Sequence, residues 1–130
     1  MIRLMNVALM FSFLLSTGLF ADGHKKDTIT EQEVLAVQKA WGEGIVKIGK
    51  VFMDKGDYKA AATEHINNFY NYQEGSVLFK PTLAAEKQFR TDFEGALSYF
   101  VGGNDNYSED GGFAIKPWSN VRWESTGVKI

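Results

Sequence analysis

The 130-residue chain reads as an α+β domain, with two helices, a short strand pair, a third helix and then antiparallel strands. Three observations predict this class. Thr30-Glu31-Gln32-Glu33 is a capping box, and the run it opens has apolar residues every three or four positions. Gly56-Asp57 breaks that run and starts a second, shorter one of the same period. Beyond Glu74-Gly75 the period falls to two, and short β-branched and aromatic stretches alternate with Gly and Pro.

In the first helix Val34, Val37, Trp41, Ile45, Ile48 and Phe52 share a face, while Lys39, Glu43, Lys47 and Lys50 fall elsewhere. Gly42, Gly44 and Gly49 each weaken it by up to about 1 kcal/mol relative to Ala, so they mark close packing or a break. Gly56 ends it, and Asp57 caps a helix running to about Tyr70 with a stripe of Ala62, Ile66 and Phe69. Ser76 to Lys80, closed by Pro81, reads as a strand, with Gln88 to Thr91 as its hairpin partner. Asp92 caps a third helix bearing Phe93, Leu97 and Phe100, which Gly102-Gly103 stops. Asn104 to Gly112 has the composition of a loop. Strands are expected again at Phe113 to Trp118, Asn120 to Glu124 and Val128 to Ile130. A last strand without polar punctuation is a sticky edge, so either another chain covers it or the sequence is a fragment of a longer protein; the fragment is the expectation.

The domain, residues 30–130, follows a polar lead at 22–29 and an expected signal peptide at 1–21. Arg3 precedes an uncharged run from Leu4 to Phe20, and Ala21 offers a cleavage site. Asn6, Ser12, Ser16, Thr17 and Gly18 make the run a poor membrane span, so no stable anchor is expected after cleavage, and the mature protein is placed in the periplasm or outside the cell. The formal net charge of −2 becomes one unit more negative when Arg3 leaves, and no basic cluster suits nucleic acid. Without cysteine there is no disulfide, thiolate nucleophile or Cys-bound zinc. Cleavage after Ala21 would expose Asp22-Gly23-His24, whose amine, backbone nitrogens and imidazole can wrap Cu(II) or Ni(II); this needs only a third-position histidine and marks no dedicated metal site.

The element order, with Gly56-Asp57, Lys80-Pro81, Phe89-Arg90-Thr91 and Glu94-Gly95-Ala96-Leu97, resembles SnoaL-like proteins, ketosteroid isomerase and nuclear transport factor 2. Val77-Leu78-Phe79-Lys80-Pro81-Thr82, Gly95 to Gly103 and Asp110 to Ala114 are similar to a group of small exported bacterial proteins often labelled phosphoribosyl-AMP cyclohydrolase. The resemblance implies a cone-shaped, curved antiparallel sheet packed by three helices, with late strands missing. It does not imply the cyclohydrolase activity, because that enzyme's cysteine zinc site and aspartate cluster have no counterpart here. It also implies that Lys80 stands where the isomerase keeps its carboxylate base, and an ammonium is no base unless burial strongly lowers its pKa.

The expected function is therefore an exported small-ligand-binding domain with no identifiable catalytic set, no cofactor, no metal and a homodimer through its sheet. An enzyme of the same fold, a lyase, isomerase or hydrolase, is the alternative, and an interaction protein with a filled cone is the third. The candidate ligand residues are Trp41, Phe79, Tyr99 and Trp118 as aromatic walls and Lys80 and Arg90 as cations for an anion. Against these stand a plain aromatic core, a solvated Lys80, and an Arg90 paired with Asp92 or Glu94. His65 has no companion at ligand spacing, and Asp105, Glu109 and Asp110 read as a solvated acidic turn.

Overall fold

Thr30 starts the first helix, α1 (Glu31–Met53), by accepting from the Glu33 backbone N–H while Glu33 accepts from the Thr30 backbone at 2.7 Å. These bonds from Thr30 hold the Glu33 carboxyl below its ordinary pKa. The computed structural model describes residues 28–127; the leader, Asp22-Gly23-His24 and Val128 to Ile130 lie outside them. Lys55, at a left-handed φ of 58°, makes the turn after α1 that the sequence assigned to Gly56. The second helix, α2 (Tyr58–Phe69), is capped by Asp57, which accepts from Ala60 at 2.9 Å. Asp92 caps the third, α3 (Phe93–Val101), through Gly95 at 2.7 Å, and Gly102 at φ 69° ends it. Asp105–Tyr107 forms a short 3-10 turn within the expected loop.

The three helices meet in one core of Ile45 and Ile48 from α1, Ala62 and Ile66 from α2, and Ala96 and Phe100 from α3. Burying an aliphatic or aromatic side chain of this size contributes about 1.5–3 kcal/mol. The α1 glycines mark close packing rather than a break. A methyl group on Gly49 would overlap the Lys116 carbonyl, and one on Gly42 would lie 2.9 Å from Val121 Cβ. The segment from Ala114 to Val121 thus runs back along α1, seated in a groove that those two glycines open. Gly44 makes room instead for the His65 ring of α2.

The cone-shaped antiparallel sheet is overturned: no strand forms among the described residues, and the pairing expected between 76–80 and 88–91 shrinks to one antiparallel bridge, Phe79 to Arg90. Arg90 N–H donates to Phe79 O at 2.8 Å and Val77 N–H to Thr91 O at 3.3 Å. Among the described residues no neighbour covers the outer side, where Leu78 is 87% and Phe89 55% exposed. The strand expected at 113–118 fails for a different reason. Phe113 and Ala114 donate to the carbonyls of Tyr99 and Phe100 in the last turn of α3, so their N–H groups extend a helix end and not a ladder. Residues 120–124 lie against α1 near Gly42 and pair with no strand among the described residues.

Candidate functional site

Four of the six residues predicted to bind a ligand belong to a single aromatic cluster. Phe79 and Tyr99 stand edge-on with ring centroids 5.9 Å apart, and Trp41 meets Phe100 at 6.5 Å. Phe113 stacks on Tyr99 at 5.5 Å and carries Trp118 at the same distance on the outer side. Trp118 is 39% exposed and anchors its indole N–H on the Phe113 carbonyl at 2.8 Å. Two phenols enter this apolar cluster. Tyr70 packs on Phe79 at 4.8 Å and accepts from the Trp41 indole at 3.1 Å, while Tyr99 packs on Phe79 and Phe100. Burial raises the pKa of both phenols above the ordinary tyrosine value, so both stay protonated and able to donate near neutral pH.

The two predicted cations lie apart from each other in environment. Lys80 follows Phe79 and is exposed, with no ion pair among the described residues. Arg90 is fully buried. Its Nη1 and Nη2 clasp the Asp110 carboxylate at 2.5 and 2.8 Å; Nη2 also donates to Glu109 at 3.2 Å, Nη1 to the Gly95 carbonyl and Nε to the Lys87 carbonyl at 2.9 Å. A guanidinium has five N–H groups, and each here has an acceptor. Burial alone would favour the neutral form, but the hydrogen bond and charge of Asp110 outweigh it and raise the Arg90 pKa. The Tyr107 ring lies over the guanidinium at 4.3 Å from its centroid. Arg90 is thus closed on itself and presents no free donor to a ligand.

The acidic turn read as solvated supplies this closure. Glu109 accepts from the backbone N–H groups of Ala85, Glu86 and Lys87 at 2.8–3.0 Å, and the Glu86 and Ala85 bonds hold its carboxyl below the ordinary carboxylate pKa. Asp110 also accepts from the Ser98 hydroxyl at 2.5 Å. Asp92 and Glu94, the expected partners of Arg90, instead cap α3 and receive the Asn104 amide.

His65, which the sequence showed without a companion at ligand spacing, lies in the core, a burial that sequence reasoning missed. It is 4% exposed, set among Trp41, Phe69 and Phe100 at ring distances of 5.5, 4.7 and 5.6 Å, and among the described residues its buried Nε2 has no hydrogen-bond partner. Burial pushes its pKa down to about 4. Its place one residue before Ile66 on the buried stripe of α2 was the available signal. Among the described residues no group of three or more His, Cys, Asp or Glu is placed to hold a metal ion, and no helix is long and apolar enough to cross a membrane.

Residues 32–130 match the family model described as metal-independent carbonic anhydrase. The chain is similar to the metal-independent carbonic anhydrase of Nostoc sp. strain PCC 7120, with 49% identity over 105 residues, covering 78% of this chain and 51% of the relative. It is also similar to the crystal structure of a cyanobacterial iota-carbonic anhydrase complexed with bicarbonate, at a TM-score of 0.72 and 49% identity, covering 76% of this chain and 62% of that one. The chain thus spans about half the length of the curated relative it matches. These matches replace both the SnoaL-like assignment and the cyclohydrolase label, whose supporting motifs were short and locally ambiguous. They likewise overturn the reading as a binding domain without chemistry, because the matched family is named for an enzyme activity, and the alternative of an enzyme of SnoaL-like fold loses that fold. By its match over residues 32–130, the chain belongs to the metal-independent carbonic anhydrase family.

Proposed function

We propose that this protein interconverts carbon dioxide and bicarbonate, and that the aromatic cluster forms the apolar wall of its site. The family match over residues 32–130 carries the reading, and the bicarbonate held by the solved relative supports a small anion as ligand. In hydration a water oxygen bonds to the carbon, an electron pair of one C=O bond moves to its oxygen, and the proton lost by the water passes to buffer base in the solvent, leaving bicarbonate. Where no metal acidifies that water, the protein must orient it and place donors where negative charge grows. Tyr70 and Tyr99 have the chemistry of such donors, and the Tyr70 oxygen, already accepting from Trp41, keeps its own proton to give. His65, kept neutral by burial among Trp41, Phe69 and Phe100, has no proton to give near neutral pH and is not assigned as a donor.

In this reading Trp41, Phe79 and Trp118 shape the apolar wall, Lys80 draws bicarbonate by its charge, and Arg90 positions the surrounding loops without touching the ligand. Work outside the cytoplasm, after loss of residues 1–21, is part of the proposal and is checked by N-terminal sequencing of the mature protein. The homodimer expected through a sheet is referred to the exposed Leu78 and Phe89, and sedimentation velocity checks it. Stopped-flow hydration with a pH indicator tests the activity on natural-length protein treated with dipicolinate. Catalysis above the buffer rate is expected; a folded protein that leaves the buffer rate unchanged contradicts the reading.

A further inference from the structure

His65 is the one ionisable side chain among the buried residues of α2, beside Ala62 and Ile66. Its Nε2 side is packed among aromatic rings, while the residue also borders a cleft between α1 and α2. From α1, Trp41 lies against it, and a methyl group on Gly44 would overlap its Nδ1 edge. Phe69 of α2 and Phe100 of α3 also pack against it. The charged groups nearby face other partners. On α1, Glu43 pairs with Lys39, and Lys47 with Glu64 of α2 at 3.0 Å; α3 presents Phe100 to the ring. Glu43, Lys47 and Glu64 line that cleft together with His65 and the neutral Asn68. None of these carboxylates hydrogen-bonds to the imidazole, and Nε2 is buried without a partner.

A neutral imidazole tolerates such a setting far better than an imidazolium, which carries two N–H donors and a charge that only water or an acceptor can satisfy. We propose that His65 is an acid-sensitive wedge: neutral, it locks α2 onto α1 and α3, and on taking up a proton it leaves the core and opens that seam.

The sign follows from linkage. Burial depresses the folded-state pKa to about 4 from the usual 6.5, so the open state binds the additional proton. Stability from the neutral ring is complete above pH 6.5 and is lost as pH falls towards 4. Across this window the opening equilibrium rises by up to about tenfold per pH unit.

The test is a pH titration of the natural-length protein from pH 8 to 3.5. It is followed by near-UV circular dichroism and tryptophan fluorescence, to which Trp41 contributes with Trp118 and Trp123, and by NMR of the histidine Cε1 carbons. Loss of near-UV signal within the window, coupled to His65 protonation and with far-UV helicity kept, is expected. In His65→Leu the transition should leave the window, whereas His24→Asn should keep it. A His65 that titrates near 6.5 with unchanged aromatic signals overturns the proposal, as does a transition that persists in His65→Leu. Should His65→Leu fail to fold, the NMR titration of the unsubstituted protein decides by the same two outcomes.

Discussion

Arg90 and His65 are both buried nitrogen bases, yet among the described residues Arg90 has an acceptor for every N–H and His65 has none for Nε2. The guanidinium is always charged, so it can be buried only where the chain supplies carboxylates and carbonyls, here from Asp110, Glu109, Gly95 and Lys87. The imidazole has a second choice, neutrality, and aromatic neighbours can surround it without any acceptor. Burial therefore makes Arg90 a permanent clamp across distant loops and His65 a conditional one.

Breaking the Arg90 side should have the larger effect. Asp110→Ala leaves a buried guanidinium without its bidentate partner and also strands the Ser98 hydroxyl, and is expected to destabilise the fold by about 3–5 kcal/mol. Urea denaturation at pH 7.5 reads this, and a loss under 1 kcal/mol would mean that the clamp is not closed in solution. Crowding the His65 side should have a smaller effect. Gly44→Ala places a methyl group against the imidazole, and although alanine is the better helix former, a net destabilisation of about 1–3 kcal/mol is expected. The same denaturation series checks it; a stabilised Gly44→Ala would show that the ring has room to spare, and the contrast with Arg90 would weaken.

The comparison also explains what the sequence could reveal. The helix starts were legible because capping is local: Thr30 with Glu33, Asp57 with Ala60 and Asp92 with Gly95 lie within three residues of each other. The clamp was not, since Glu109 and Asp110 lie 19 and 20 residues from Arg90, and nothing in their spacing prefers them to the nearer Asp92 and Glu94. Alternation at 113–118 suggested a strand, but a pattern of side chains does not say which carbonyls the backbone N–H groups will find. Here they find the end of α3. Of the candidate site, Trp41, Phe79, Tyr99 and Trp118 were named from composition and do come together around Phe100 and Phe113. Tyr70 was passed over because the sequence marked it only as the end of α2.

The central claim is that buried, neutral phenols in an aromatic wall serve carbon dioxide hydration. The most direct measurement is the exchange of 13C between dissolved carbon dioxide and bicarbonate at equilibrium, read as NMR line broadening in the presence of chelator-treated, natural-length protein. Broadening beyond the buffer control is expected, falling about tenfold or more in Tyr70→Phe and Tyr99→Phe while near-UV circular dichroism stays native. Exchange at the buffer rate in folded protein, or full exchange in both phenylalanine variants, would contradict the account.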